Sequence, residues 1–431
     1  MLTTHQEAVV SNTINDLNES NFVVLEGSAG VGKTFVVNYI LQQFFKSNNG
    51  KKICSAPTNK AVLIIKDKID KDIQNVEFST IHSVLKMRKV TDRKNGNISF
   101  KSFENSKYPI LKNVKLIVID EASMINQSIL NDIEYYAEKQ DTKVLFVGDD
   151  KQLNPVNEEN SPVFHQDYPT NTLTEIIRQG EGNPIIDISR NIKNVWSKKD
   201  NLINDNIGYL YSYNISHIIE RLAEVNGNND LKYLAWTNKE VNKINSLVRK
   251  KIYGNPNDVE KEETLIFDTP YMSDNNKIAY YTNEEIFVKE LRTISIDFSY
   301  PVMSNNITGE FESEKINLQV YCINPGEKNI RKGVVVLHEN SKKAFYKMRN
   351  KMYKNASSRI LEWVDYHKCV GMFAKTKYNH AITVHKSQGS TYKKVVLNVG
   401  DMNMNRNGIE KQRLFYTSIT RASEMLILYN V

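Results

Sequence analysis

The feature that most constrains the fold is the stretch GSAGVGKT at residues 27–34, which fits the pattern G-x-x-x-x-G-K-[ST]. It directly follows the apolar run FVVLEG at residues 22–27 and precedes a helical pattern, so we expect a strand, a tight loop and a helix. Glycines let backbone N–H groups curl around phosphate oxygens, and the helix N-terminus adds partial positive charge. A glycine-rich turn that binds nothing is the alternative interpretation.

Each residue of this phosphate loop has an expected part in nucleotide binding. Lys33 would reach the β- and γ-phosphates of a nucleoside triphosphate, and the Thr34 hydroxyl would ligate Mg²⁺. The loop residues predicted to surround the nucleotide are Gly27, Ser28, Ala29, Gly30, Val31, Gly32, Lys33 and Thr34.

A second apolar run, LIVIDEAS, ends in two acids, Asp120 and Glu121. Ligands bind at the carboxyl ends of parallel strands, so these carboxylates are expected at the same sheet edge as the phosphate loop. Asp120 would hold the Mg²⁺ shell, and Glu121 would deprotonate the attacking water. The alternative is that the acids only cap the following helix.

The stretch VGDDKQLNPV at residues 147–156 follows a third apolar run. A turn explains Gly148, Asp149 and Asp150, because these residue types tolerate tight backbone geometry. Gln152 is uncharged and can both donate to a phosphate oxygen and accept from a water. It is therefore predicted to sense the γ-phosphate, with a polar turn residue as the alternative.

The chain is long enough for two or three domains, since its 431 residues exceed one typical domain. The features below favour an intracellular protein. Three widely spaced cysteines, Cys54, Cys322 and Cys369, indicate neither a disulfide framework nor a zinc site. No apolar run is long enough to span a membrane, and the N-terminus lacks a signal-peptide core. The net charge of +7 favours a polyanionic partner.

Two α/β units with an insertion are predicted along the chain. The first 150 residues and the end of the chain alternate short β-rich runs with helical patterns, which indicates parallel sheets covered by helices. Between about 255 and 375 the pattern changes to antiparallel strands followed by the basic helical segment KKAFYKMRNKMYK at 342–354. An Asn95-Gly96 pair within residues 86–110 predicts a hairpin with a type I′ turn.

These motifs together predict hydrolysis of a nucleoside triphosphate, but not the work that it drives, because kinases, transporters and motors share them. The order of motifs resembles that of superfamily 1 helicases, and within them the RecD-like branch that moves 5′-to-3′. The resemblance rests on GSAGVGKT, SAPTNKA (55–61), STIHSVL (79–85), VIDEAS, GDDKQLNPV, LTEIIRQ (173–179), AITVHKSQGSTY (381–392) and LFYTSITRAS (414–423).

The resemblance implies further roles at the nucleotide. Gln6 would contact the adenine edge, and Arg178 and Arg421 would reach the γ-phosphate of ATP from the second domain as arginine fingers. Gln388 and Gly389 would couple the nucleotide cleft to the bound strand. ATP would then close the two domains, and hydrolysis would release them.

The resemblance also implies a nucleic-acid track. Small polar groups suit phosphate contacts, and aromatic rings can stack on any base. The matching positions are Pro57, Thr58, Asn59, Thr80 and His82 in the first domain and Trp236, Thr237, Asn238, Thr383, His385 and Lys386 in the second. For each residue a loop or helix-cap role is the alternative, and both histidines could be core residues.

The implied fold class is α/β, with two RecA-like P-loop motor domains. The first motor domain would span 1–172 and carry a strand-separating pin hairpin at about 86–110, with Phe100 or Phe103 facing the bases unless they pack inward. The second would comprise 173–254 and 376–431. An SH3-like β-barrel with a helical arm would fill 255–375, and its basic helix either binds phosphate or is a solvated face.

The expected function is that of an ATP- and Mg²⁺-dependent DNA helicase, a cytoplasmic monomer (in the host cytoplasm if phage-encoded) acting in DNA replication or recombination. Its expected partners are single-stranded DNA, forked duplex DNA and single-strand-binding or replication proteins. An RNA helicase of the same fold is the nearest alternative, because nothing in the sequence distinguishes the sugar 2′-hydroxyl. A P-loop switch acting on protein is a further one, although it would need no second motor domain.

Overall fold

A computed structural model describes residues 2–47, 50–92, 94–104, 109–155, 158–175, 184–192, 200–204, 207–226, 230–272, 278–303, 311–326, 333–358 and 361–431. Arg178, predicted as an arginine finger, lies outside the described residues. In the described part of the chain, no helix combines the length and apolar character that a membrane span requires.

The first 173 residues are built around a parallel sheet. The strands of this part are β1 (Phe22–Gly27), β2 (Lys51–Ala56), β3 (Val76–Thr80), β4 (Met87–Thr91), β5 (Ile98–Ser102), β6 (Val114–Ile119), β7 (Lys143–Gly148) and β8 (Thr170–Leu173). The helices are α1 (Thr4–Glu19), α2 (Lys33–Ser47), α3 (Asn59–Lys68), α4 (Ile81–Val84) and α5 (Gln127–Gln140). Six strands pair in the order β3-β2-β6-β7-β1-β8, and every neighbouring pair is parallel.

The central strands β1, β6 and β7 are buried on both faces, which explains why they are apolar at most positions. In β1, Phe22 and Val24 belong to one hydrophobic core, whereas Val23 and Leu25 belong to another. Because successive strand side chains point to opposite faces, the two cores lie on opposite sides of the sheet. The core containing Phe22 is covered by α5, and the other core is covered by α1 and α2.

The hairpin of β4 and β5 leaves this sheet, but its turn differs from the predicted type I′ turn. Gly96 has a φ of +71°, whereas Asn95 is not among the residues with positive φ. The prediction was wrong because the loop is longer than two residues: the Asp92 N–H donates to the Asn97 carbonyl at 2.8 Å, and the Gly96 N–H donates to the Asp92 carbonyl at 2.9 Å. The Asn95 side chain accepts from the Asn97 N–H instead, as in an Asx turn.

A second sheet combines residues before and after the insertion. The preceding elements are α6 (Pro184–Arg190), β9 (Leu202–Asn204), β10 (Ile207–Ser212), α7 (Ile215–Val225), β11 (Leu231–Ala235) and α8 (Asn238–Tyr253).

The inserted elements are β12 (Thr264–Phe267), β13 (Tyr271–Met272), β14 (Ile278–Tyr280), β15 (Glu285–Phe287), β16 (Glu290–Met303), β17 (Phe311–Asn324), β18 (Val334–Leu337), α9 (Glu339–Ser357), α10 (Trp363–Val370) and β19 (Thr376–Tyr378). The remaining elements are β20 (Ala381–Thr383), α11 (Val384–Ser387), β21 (Tyr392–Asn398), α12 (Val399–Asn403), α13 (Gly408–Ile419) and β22 (Ala422–Tyr429).

The second sheet has the order β20-β11-β21-β22-β10-β9, and only the edge strand β9 is antiparallel to its neighbour. This one sheet therefore contains three strands that precede the insertion and three that follow it. The two sheets confirm the predicted α/β fold with two motor units of the RecA-like kind.

The inserted strands form three small antiparallel sheets, β15-β12-β19, β13-β14 and β16-β17-β18. A shared core that includes Leu265, Phe267 and Tyr321 joins them. The pairings among the described residues do not close a barrel, so the SH3-like barrel stays a prediction. Strand β19 pairs with β12 and extends the small sheet slightly beyond the predicted boundary at 375. Helix α9 packs Phe345 and Met348 against the long β16–β17 hairpin.

A buried ion pair joins the insertion to α8. The Arg249 Nε atom donates to Glu263 Oε1 at 2.5 Å, and its Nη2 atom donates to Glu263 Oε2 at 3.1 Å. Both side chains are buried, and the guanidinium also lies 3.8 Å from the Tyr378 ring centroid. Removing one partner would leave an uncompensated buried charge.

We therefore expect Glu263→Ala to lower the free energy of unfolding by about 3–5 kcal/mol, as measured by urea unfolding followed by circular dichroism. The matched control is Glu220→Ala. Glu220 is the exposed partner of Lys251, which lies in α8 like Arg249. That change is expected to cost about 0.5 kcal/mol or less. Equal losses in the two variants would contradict the assignment of the Arg249 pair as a structural anchor.

Candidate nucleotide site and nucleic-acid interface

Three loops meet at one edge of the first sheet. Strand β7 lies between β1 and β6, and all three are parallel. Their carboxyl ends therefore bring the phosphate loop, the Asp120-Glu121 pair and the loop of residues 149–153, the β7 loop, to the same edge. This is the arrangement that the three apolar runs predict.

The phosphate loop has the backbone that a phosphate cradle requires. Gly30 and Gly32 have φ values of +89° and +83°, a region that side chains with a Cβ rarely adopt. The Lys33 Nζ atom donates to the Gly27 carbonyl at 2.6 Å and to the Ser28 carbonyl at 3.0 Å. Thr34 is the second residue of α2, next to the loop.

The predicted adenine contact, Gln6, lies against the phosphate loop. Its Nε2 atom donates to the Val31 carbonyl at 3.4 Å, and its Oε1 atom accepts from the Thr3 N–H at 3.2 Å, which completes a capping box at the start of α1. The side chain is buried. Gln6 thus holds the loop backbone in place, and its contact with adenine stays a prediction.

The two acids after β6 are electrostatically linked to both motor units. Burial raises the pKa of Asp120, and the nearby Lys33 opposes this shift. Burial and the adjacent Asp120 raise the pKa of Glu121, whereas Arg421 and Lys33 lower it. Glu121 adopts a left-handed backbone, with φ of 54°, at the start of the following turn. The carboxylate and hydroxyl oxygens of Asp120 and Thr34 are donors of the type that Mg²⁺ prefers.

The β7 loop contacts helix α13 of the second motor unit. The Arg421 Nη2 atom, just beyond α13, donates to Gln152 Oε1 at 3.4 Å, and both side chains are buried. The Leu153 N–H donates to Thr417 Oγ1 at 3.2 Å, and Arg413 Nη1 donates to the Gln152 carbonyl at 2.7 Å. Gln152 therefore joins the two motor units. It also lies at the sheet edge that carries the phosphate loop, which we call the nucleotide edge.

Tyr416 lies within the motif LFYTSITRAS, but the sequence assigned it no role in the site. Its hydroxyl donates to Asp149 Oδ2 at 2.5 Å and accepts from the Ala29 N–H of the phosphate loop at 3.3 Å. Burial and Asp149 raise the pKa of Tyr416, so the phenol stays protonated. The signal in the sequence was its position five residues before Arg421, but only the fold brings it to the phosphate loop.

A cavity of about 940 Å³ lies beside the phosphate loop, between the two motor units. Gly27, Ala29 and Gly30 form one wall, and Arg413 and Tyr416 form the other. Its volume is in the range of small-molecule and cofactor sites.

The predicted coupling residues Gln388 and Gly389 also meet the first motor unit. The Gln388 Nε2 atom donates to the Leu153 carbonyl at 3.2 Å. Gly389 has a φ of +70°, and a Cβ there would lie 3.4 Å from the Ala61 Cβ and 3.9 Å from Glu121 Oε1. A glycine suits this position because side chains with a Cβ rarely adopt this φ.

The predicted track residues follow the outer strands of both sheets. In the first sheet, β2 is followed by Pro57, Thr58 and Asn59. Thr80 is the last residue of β3, and His82 follows that strand. Trp236, Thr237 and Asn238 follow β11, and Thr383, His385 and Lys386 lie at the end of β20 and in α11. All four sets lie at the carboxyl ends of parallel strands, so each sheet presents its set at one edge.

Several track side chains have partners within the protein. Thr58, Thr80 and Thr237 each accept a backbone N–H as helix N-caps. The Lys386 Nζ atom donates to Asp268 Oδ1 at 2.5 Å, which ties the track to the insertion. Burial lowers the pKa of both His82 and His385. The helix-cap alternative therefore describes Thr58, Thr80 and Thr237, and contact with nucleic acid stays a prediction for the whole set.

The two phenylalanines of the hairpin do not pack inward. Phe100 and Phe103 are 49% and 45% exposed. The Phe100 ring meets the His82 ring edge-on at 6.0 Å, and the Arg88 guanidinium lies 5.6 Å from the Phe103 ring centroid. Phe100 therefore lies next to a predicted track residue.

Comparisons with known proteins match parts of both motor units to known families. A family described as an AAA domain matches residues 1–201, and one described as a UvrD-like helicase C-terminal domain matches residues 378–429. The uncharacterized protein R530 of Acanthamoeba polyphaga mimivirus is 27% identical, with 99% of each chain covered. The ATP-dependent DNA helicase dda of Enterobacteria phage T4 is 26% identical, with 94% of this chain and 93% of the helicase covered.

A solved structure shares the fold. The Pif1 helicase from Bacteroides, in complex with ADP-AlF3 and single-stranded DNA, has a TM-score of 0.51 at 17% identity, with 99% of this chain and 92% of Pif1 covered. The motif order, the two facing motor units and the similarity to Dda and to RecD subunits give one conclusion. In motif order, fold and sequence, the chain is similar to superfamily 1 helicases of the RecD-like branch.

Proposed function

We propose that this protein is an ATP-dependent DNA helicase that moves 5′-to-3′ along single-stranded DNA and separates duplex strands. The observation that carries the proposal is the buried contact between Gln152 of the nucleotide edge and Arg421 of the second motor unit. A nucleotide bound at the phosphate loop would lie against both units, so its hydrolysis can change their relative position.

The residues of the phosphate site divide the chemistry between them. Lys33 would exchange its carbonyl partners for the β- and γ-phosphates of ATP, because a charged donor interacts more strongly with phosphate oxygens than with neutral carbonyls. Glu121 would accept a proton from the attacking water. Arg178 and Arg421 would stabilise the negative charge that develops on the γ-phosphate.

The site also fits a divalent cation. Thr34 and Asp120 would hold Mg²⁺, which when bound neutralises phosphate charge and orients the leaving group. Glu121 lies next to Asp120 in the chain and is left free to act as a base. Burial raises the pKa of both acids, and the charge of Asp120 raises that of Glu121 further, so a bound cation would stabilise the charged carboxylates.

Contacts with the Gln152 side chain would convert hydrolysis into movement. Gln152 would report the γ-phosphate to Arg421, while Gln388 and Gly389 would pass the change to the predicted track residues at the end of β20 and in α11. The track sets of the two units would then hold the strand alternately. Small hydroxyl and amide groups suit phosphate contacts of this kind, which do not depend on base sequence.

Strand separation is assigned to the hairpin of β4 and β5. Its exposed Phe100 and Phe103 would face the bases where the duplex opens. We propose the division into motor domains of 1–172 and of 173–254 with 376–431, and an inserted domain of 255–375. The substrate would be forked duplex DNA, and the enzyme would act as a cytoplasmic monomer, together with single-strand-binding or replication proteins.

The proposal is tested by ATP hydrolysis with and without single-stranded DNA, followed by unwinding of duplexes with a 5′ or a 3′ overhang. We expect DNA to stimulate hydrolysis and only the 5′ overhang to support unwinding. Lys33→Ala should reduce hydrolysis by about 100-fold or more while single-stranded DNA still binds. Lys66→Ala, which removes an exposed lysine of α3, serves as the control.

Three outcomes would each contradict a different part of the proposal. Hydrolysis that is indifferent to DNA would refute the helicase function, and stimulation by RNA alone would indicate an RNA helicase. Unwinding only from a 3′ overhang would reverse the direction of movement and leave the phosphate site intact.

The backbone of the phosphate loop gives an independent prediction. A Cβ at Gly32 would meet Gln6 Nε2 at 3.0 Å, in a backbone region with φ of +83°. Side chains cost about 1–2 kcal/mol in this region, so Gly32→Ala is expected to weaken ATP binding by about tenfold or more. Isothermal titration calorimetry measures the affinity, and Gly333→Ala, where a Cβ meets nothing within 4 Å, is the matched control. Equal affinities in the two variants would refute the predicted cradle.

A further inference from the structure

Helix α9 has an outer face that its packing does not explain. Its inner face, which packs on the long β16–β17 hairpin, consists of Ser341, Phe345, Met348, Met352 and Ala356. The opposite face leaves exposed or half-exposed the residues that we call the arm surface: Lys343, Tyr346, Lys347, Arg349, Tyr353 and Lys354. An amphipathic helix normally presents dispersed polar residues to solvent, whereas this face combines one sign of charge with aromatic rings.

The charge of the arm surface is largely unbalanced. Residues 342–354 contain six lysines or arginines and no acid. Lys342 and Lys351 form ion pairs with Asp258 and Glu314. The other four cations, all of the arm surface, form no ion pair with a residue that the structure describes. A concentrated positive surface of this kind attracts a polyanion.

The aromatic residues of the arm surface are open to solvent. Tyr346 and Tyr353 are 45% and 51% exposed. The Arg349 guanidinium lies 4.8 Å from the Tyr346 ring centroid. Exposed rings beside cations are the combination that binds single-stranded nucleic acid, because unpaired bases stack on the rings and phosphates contact the cations.

The arm surface continues to the tip of the hairpin in the first motor unit. The Tyr353 ring lies 5.4 Å from the Trp363 ring and 5.8 Å from the Tyr366 ring, both in α10. The Trp363 ring in turn covers Gly96 so closely that a Cβ there would lie 2.5 Å from it. The His367 Nε2 atom contacts the Gly96 carbonyl at 3.1 Å. A continuous aromatic path therefore leads from the hairpin tip to α9.

We propose that the arm surface binds the displaced single strand of a DNA fork. The proposal rests on the proposed function, since a displaced strand exists only if the protein unwinds DNA. The tracking strand would lie along the sheet edges of the motor units, whereas the arm surface adjoins the hairpin tip through Trp363. A duplex would offer phosphates to the cations but no exposed base faces to Tyr346 and Tyr353, so the rings favour an unpaired strand.

The test compares two substrates that share a 5′ overhang and a duplex, one of which also carries an unpaired 3′ oligothymidine tail on the strand to be displaced. Affinity for each is measured by fluorescence anisotropy without nucleotide, and unwinding is measured separately. We expect Tyr346→Ala combined with Tyr353→Ala to reduce affinity for the tailed fork by about tenfold. Affinity for the tail-less substrate and DNA-stimulated ATP hydrolysis should stay within about twofold of the parent.

Tyr213→Ala is the matched control, because this tyrosine is 62% exposed in the second motor unit, away from α9. Since Tyr353 also touches Trp363 beneath the hairpin tip, a second variant avoids that contact. Lys343→Ala combined with Lys347→Ala should lower the dependence of log affinity on log salt by about 0.7 per lysine, for the tailed fork only.

The outcomes separate this proposal from the proposed function. Equal losses on the tailed and tail-less substrates, or no loss on either, would overturn the arm surface as a site for the displaced strand. Failure of the parent protein to unwind the 5′-overhang duplex would instead refute the helicase function.

Discussion

The structure depends on a buried polar contact between the β7 loop of one motor unit and α13 of the other. Asp149, Gln152 and Arg421 are all buried, and each makes a hydrogen bond across the boundary between the units. A buried polar group without a partner costs about 1–3 kcal/mol, so these residues stabilise only the arrangement in which the units face each other. The nucleotide edge is therefore built into the boundary between the units.

This contact explains how a small ligand can move large parts of the protein. Tyr416 joins Asp149 to the Ala29 N–H of the phosphate loop, so a phosphate that takes this N–H as its donor changes a contact with α13 directly. Gly389 lies close to both α3 and Glu121, and α3 begins at the predicted track residues. The insertion is tied to the same machinery through Lys386–Asp268 and through Lys60–Glu285, at 2.5 and 3.3 Å.

Local patterns predicted the parts of this machinery that are local in the chain. The phosphate loop, the two acids after β6 and the parallel sheets follow from short stretches whose spacing fixes their geometry. The roles of Tyr416 and Arg413 did not follow, because more than two hundred residues separate them from the loops that they contact. The prediction of a type I′ turn at Asn95-Gly96 was wrong for another reason. The preference of a dipeptide does not determine the length of the loop, and Asp92 closes a longer loop. The contact of Gly96 with Trp363 likewise depends on the packing of the insertion.

The central claim is that Gln152 links the nucleotide site to the second motor unit, and Gln152→Ala tests it most directly. Basal and DNA-stimulated ATP hydrolysis are measured together with ATP affinity. Loss of a buried hydrogen bond to a charged group, of about 1.5–3 kcal/mol, predicts that stimulation by single-stranded DNA falls about tenfold or more. ATP affinity should change by less than about threefold, because Lys33 and the phosphate loop are intact. A parallel loss of affinity and stimulation would contradict the account and reduce Gln152 to a nucleotide ligand.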